Sequence, residues 1–142
     1  MTGDEEAGRF AVLPAGRRTW AVASIHGMAD RLIALHDGLA QRIAIEDNIV
    51  YLGNFLGHGR NIAATVNELL VFRRALMARQ IDGDGGAIVY LRGSQEEMWH
   101  KLLQLQFAPN PRQVLDWMLG QGVDATLAAY GGSIETGRSA AN

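Results

Sequence analysis

The chain contains no cysteine, which excludes disulfides and thiol chemistry. No apolar run approaches the roughly 20 residues that a membrane-spanning helix requires. A dense basic stripe is also missing. The 13 lysines and arginines are outnumbered by 15 acids, for a formal net charge of −2, so nucleic acid is not an expected partner. The N-terminal stretch MTGDEEAGRF is acidic and lacks the long apolar segment of a secretory signal. These absences make a soluble cytoplasmic protein the expectation, with no membrane and no nucleic-acid partner. What is present is an ordinary globular composition, 48% hydrophobic and 20% charged, in 142 residues, enough for the core of one domain.

Residues 1–16, rich in glycine and acids, read as a flexible N-terminal arm, and residues 133–142 as a disordered polar tail. Between them strand-like and helix-like patterns alternate. Thr19 to Ala23 suits a strand. Apolar residues at 28, 32, 35, 39 and 43 mark an amphipathic helix. The unbroken run Ile49, Val50, Tyr51, Leu52 reads as a strand covered on both faces. A second helix follows with apolar positions at 62, 66, 69, 70 and 76, then a third strand, AIVYLRG. Ser94 with Glu97 reads as a capping box at the start of a third helix. Pro111 suits the start of the short helices that fill the rest. His36 and His100 read as exposed helix residues, and Trp20, Trp99 and Trp117 as packing residues.

A β-α-β-α-β order predicts a parallel α/β sheet flanked by helices and joined by right-handed crossovers. In such sheets the ligand crevice lies beyond the carboxyl ends of the strands. Three loops occupy those ends here: ASIHG (23–27), GNFLGHG (53–59) and RGSQEE (92–97). The second is rich in glycine, as a loop that approaches an anion or metal would be, yet it carries no carboxylate.

These three loops, in this order and spacing, resemble the motifs of the calcineurin-like metallophosphoesterases, in the branch of serine/threonine protein phosphatases and diadenosine-tetraphosphate hydrolases. The family pattern is G-D-x-H-G, G-D-x-x-D-R-G and G-N-H-E. This chain has ASIHG, GNFLGHG and GSQE, with VYLG and YLRG before the second and third boxes. The later WMLGQGVDATLAAYGG is similar to a segment of bacterial members, so the resemblance spans about residues 19 to 132. It implies the N-terminal half of an αββα sandwich, a truncated metallophosphoesterase-like domain over residues 17–132.

The resemblance also shows what is missing. The family's active Asp, His, Asp, Asp, Arg, Asn and His correspond to Ser24, His26, Asn54, Gly57, His58, Ser94 and Gln95. Only His26 keeps the family's side chain. Two divalent cations about 3.5–4 Å apart need anionic ligands to offset their repulsion, and neutral Asn54 stands at the bridging position. Gln95 cannot act as a general acid, Gly57 cannot orient one, and His58 replaces a bidentate arginine. No catalytic residue and no cofactor are therefore expected. The remaining metal candidates are His26, Asn54, His58 and Glu96, which as a rebuilt site would take Mn, Fe or Zn. Phosphate could still meet backbone N–H groups at the helix after Gly59, assisted by Arg60. Glycines 27, 53, 59 and 93 are expected to serve backbone geometry.

The expected function is a catalytically inactive, pseudophosphatase domain working through protein–protein contact. The alternative is a divergent metal-dependent phosphoesterase acting on a phosphoprotein or a dinucleoside polyphosphate. The apolar strands of a half-sandwich need cover, from the 111–130 segment, self-association or a protein partner.

Overall fold

A computed structural model describes residues 11–80, 83–133 and 135. Residues 1–10 of the expected arm, and residues 134 and 136–142 of the expected tail, lie outside them. Strand β1 (Thr19–Val22) leads to helix α1 (Ala29–Ala40), β2 (Asn48–Tyr51) to α2 (Ile62–Arg79), and β3 (Ile88–Tyr90) to α3 (Ser94–Leu102). The three strands form a parallel sheet in the order β1-β2-β3, with Trp20 opposite Ile49 and Ile49 opposite Ile88. The chain is thus α/β, with a parallel β-α-β-α-β core and flanking helices.

Alternation along the strands sends Val22, Ile49 and Tyr51 to one face, where they meet Leu32 and Leu39 of α1 and Leu69, Phe72 and Leu76 of α2. Ile49 and Tyr51 are fully buried there. The expectation that β2 is covered on both faces holds at Asn48, which is 0% exposed, but not further along the strand. Ala21, Val50 and Val89 share the other face by register; Ala21 is exposed and the two valines are half-buried. Neither apolar cluster includes them. Beyond the strand ends Leu52 and Leu91 are 47% and 46% exposed.

Both helices bury a stripe slightly different from the one their apolar spacing predicts. In α1 the buried positions are 29, 32, 36 and 39, so His36 rather than Leu35 faces inward. In α2 they are 62, 65, 69, 72 and 76, with Thr65 and Phe72 inside and Leu70 exposed. Residues one position apart on a helix differ by about 100°, and partners of the right shape decide between them. His36 has such partners, as described below, and is not an exposed helix residue.

The C-terminal part builds a second apolar cluster. A tight turn (Leu105–Phe107), helix α4 (Pro111–Met118), a wide turn (Leu119–Val123) and α5 (Asp124–Ala129) gather Leu115, Met118 and Val123 against Met98, Trp99 and Leu102 of α3. This unit packs against α3, and α5 meets α2. The 111–130 segment therefore closes the helical side of the domain, leaving the other sheet face uncovered by its apolar cluster. Trp117 points away from the cluster and is 57% exposed, unlike the packing residue expected. Among the described residues no helix is long and apolar enough to cross a membrane.

Candidate functional site

The three strand-end loops converge, and glycine permits their approach. At Gly53, with φ at +96°, a Cβ would fall 2.3 Å from the Gly93 nitrogen. At Gly59 it would fall 2.5 Å from the Gly27 backbone, where the two glycines form a parallel bridge. Backbone packs directly on backbone at both places, which no side chain allows. Gly59, a phosphate candidate in sequence, thus has a packing role, and Arg60 beside it is exposed.

Asn54 is the hub of the cluster. Its φ of +57° is left-handed, as is the +50° of His26. The Asn54 carbonyl accepts from the His26 N–H at 2.7 Å, tying the second loop to the first. Its side-chain Nδ2 donates to Ser24 Oγ at 3.2 Å, and its Oδ1 accepts from Ser94 Oγ and from the Gln95 N–H, both at 3.1 Å. One neutral amide side chain thereby holds all three loops. Gln95 Nε2 donates onward to the Gln121 carbonyl, and the Gly57 N–H donates to Thr126 Oγ1. His26 donates from Nδ1 to the Leu56 carbonyl at 3.2 Å, and its ring meets that of exposed His58 edge-on, centroids 5.7 Å apart.

The one carboxylate in the cluster, Glu96, is fully engaged. Oε2 accepts from the N–H groups of Asn54 at 2.7 Å and Gly93 at 2.9 Å. Oε1 accepts from those of Phe55 at 2.7 Å and Leu56 at 3.2 Å. Successive N–H groups in a turn with a left-handed residue make an anion-binding concavity, and the chain fills this one with its own side chain. The helix cap follows from this: Gly93, not Ser94, is the capping position of α3, and Glu96 rather than Glu97 reaches back to it. Among the described residues no group of three or more His, Cys, Asp or Glu side chains could hold a metal ion. Ser24, His26, Asn54, Gly57 and His58 lie on these converging loops, and Ser94 and Gln95 in the first turn of α3. The role of Glu96 was missed in sequence, although a glutamate three residues after a glycine that opens a helix is a legible signal.

Two further polar centres lie away from the loops. At the opposite end of the sheet, Asp47 Oδ2 accepts from Arg18 Nη2 at 2.6 Å, Trp20 Nε1 at 2.9 Å and the Ala44 N–H at 2.9 Å. The Arg18 guanidinium, then the Trp20 and Ala44 donors, hold its carboxyl down at about 2, against the opposing effect of burial. Inside the core, His36 is 2% exposed and stacks on Phe72 at 3.9 Å. Its Nδ1 lies 2.6 Å from Glu68 Oε1 and its Nε2 2.9 Å from the Tyr51 hydroxyl. Burial lowers the His36 pKa, opposed by Glu68, and burial raises that of Tyr51. With Tyr51 fully enclosed, this chain of side chains holds the core together and offers no reacting atom to a ligand.

Comparison with protein-family profiles, with curated proteins and with solved structures finds no match.

Proposed function

We propose that the chain is a metallophosphoesterase-like domain without catalysis, a pseudophosphatase that works through contact with another protein. The supporting observation is the state of the loop centre. A two-metal phosphoesterase needs anionic ligands with lone pairs free to point at cations. Asn54 brings no charge, and its Oδ1 already accepts two hydrogen bonds. Glu96 brings a charge, but both its oxygens are taken by four backbone donors. The centre is a self-satisfied polar plug that ties loops together. The open sheet face with Leu52 and Leu91 at its margin supports contact as the working mode, through self-association or a partner.

A second reading, a divergent phosphoesterase using Mn, Fe or Zn on a phosphoprotein or dinucleoside polyphosphate, is favoured by the His26–His58 ring pair alone. Elemental analysis of the purified protein, with p-nitrophenyl phosphate turnover measured in excess Mn²⁺, separates the two. The proposal expects no stoichiometric metal and no turnover. One or two metal ions per chain, with hydrolysis abolished by His26→Ala, would overturn it.

A further inference from the structure

A concavity lies along the free edge of β1 and reaches Ser24 and Ile25 of the first strand-end loop. It is a groove of about 570 Å³ between β1 and α1. The Asn48 N–H donates to the Arg18 carbonyl and the Leu52 N–H to the Val22 carbonyl. In a parallel ladder alternate residues bond to the same neighbour, so Ala21 and Ala23 direct their N–H and C=O groups outward, and both are exposed. An unpaired edge of this kind templates a further strand.

The opposite wall is a stripe of α1 and its flanks: Met28, Arg31, Leu35, Gly38 and Arg42, at alternating spacings of three and four. Gly38 leaves the middle of this wall open. A Cβ there would meet only Arg42 Nη1, at 3.3 Å. The lining holds two arginines and no carboxylate. Both arginines are exposed, and neither makes an ion pair among the described residues.

We propose that this groove binds an extended segment of a partner protein, added to β1 as a fourth strand, whose apolar stretch is flanked by an acid at each end. Arg31 lies on α1 and Arg42 just beyond its end, and Arg42 Nη1 donates back to the Gly38 carbonyl at 2.6 Å, which sets its guanidinium two helical turns, about 11 Å, from the Arg31 position. An extended chain covers that distance in about three to four residues, and its side chains alternate between faces, so the two acids fall about four residues apart. A second copy of this chain fits poorly. Residues 17–28 contain no acid, so an edge-to-edge pair of β1 strands would leave Arg31 and Arg42 without an acidic partner. The inference deepens the protein-contact reading and rests on it.

The test uses the full ¹⁵N-labelled chain and the capped peptide Thr-Glu-Thr-Val-Thr-Glu-Thr, whose glutamates are about four residues apart on the face that carries the valine, with a counterpart carrying lysine at both glutamate positions. Saturable shifts of the Ala21 and Ala23 amides are expected with the glutamate peptide, weakening as salt rises. Gly38→Leu fills the groove and favours the helix, so it should keep the fold and weaken binding about 10-fold or more. The double variant Arg31→Glu with Arg42→Glu should reverse the preference towards the lysine peptide. No saturable binding, or unchanged binding in Gly38→Leu, overturns the groove. Shifts centred on Val50 and Val89 instead would overturn it too, while leaving the contact reading intact. Peptide-free dimerisation that perturbs Ala21 identifies a second copy as the occupant and overturns the acidic partner. The contact reading itself fails only in the separate assay, by metal-dependent turnover.

Discussion

The two ends of the sheet are each organised around one carboxylate, and they neutralise it differently. At the amino ends of the strands Asp47 collects an arginine, an indole N–H and a backbone N–H. At the carboxyl ends, where α/β sheets place their ligands, Glu96 collects four backbone N–H groups and no cation. The first is an ion pair between a buried carboxylate and an exposed arginine. The second uses the donors that would otherwise be available to a bound anion. The end expected to be open for chemistry is closed by the chain itself, with the same completeness as the end that has only a structural task. Among the described residues no buried side-chain N or O lacks a partner.

Removing the two carboxylates in turn separates these designs. Glu96→Ala strips four backbone donors of their acceptor at once and unties the second loop from α3. Each orphaned, partly buried donor costs about 1 kcal/mol or more, so a loss of about 3–4 kcal/mol is expected in urea unfolding. Addition of phosphate should then restore part of it by occupying the emptied concavity. A loss under about 1 kcal/mol would mean that water replaces the carboxylate without penalty, and that the two ends do not differ.

Asp47→Asn keeps the shape but removes the charge that Arg18 faces, and about 2 kcal/mol is expected to be lost at pH 7. The sign with pH follows from the direction of its shift. Its folded pKa of about 2 is below the ordinary carboxylate value, so the folded state binds fewer protons there than the unfolded chain. Its contribution is full above about pH 4 and disappears as pH falls towards 2. Thermal melts of the wild type and the variant between pH 7 and pH 2 should therefore converge at the acid end. A constant gap would assign the loss to packing.

His36, on the covered face between the two ends, gives the smallest effect. Its folded pKa is lowered, chiefly by burial, so the folded state resists its protonation. Stability should drop as pH falls from 7.5 to 5.5, through the ordinary histidine range. The drop should be absent in His36→Gln, which cannot titrate. An equal drop in both proteins would place the titration elsewhere.

How much of this was legible in the sequence varies with the range of the interaction. The strand–helix alternation was readable because apolar spacing and glycine position are local signals. Convergence of the three loops followed from topology, since parallel strands put all their carboxyl ends on one side. The inward stripe of α1 was misread at one position because Leu35 outranks His36 in apolarity. Only Glu68 and Tyr51, brought from 32 and 15 residues away, make the histidine the better interior residue. The missed role of Glu96 has the same origin, since three of its four donors lie about 40 residues earlier in the chain.

By itself the sequence determined the element order, the parallel α/β class and the neutral side chains of Ser24, Asn54, Ser94 and Gln95 at the strand ends. Those properties are carried by local periodicity and by residue identity. Tertiary structure alone decided that Glu96 fills the anion concavity, that a histidine lies in the core, and that the C-terminal helices cover α2 and α3 instead of the open sheet face. Each of these depends on which distant donor, ring or apolar side chain comes within a few ångströms, and hydrogen bonds and packing energies are set at that distance.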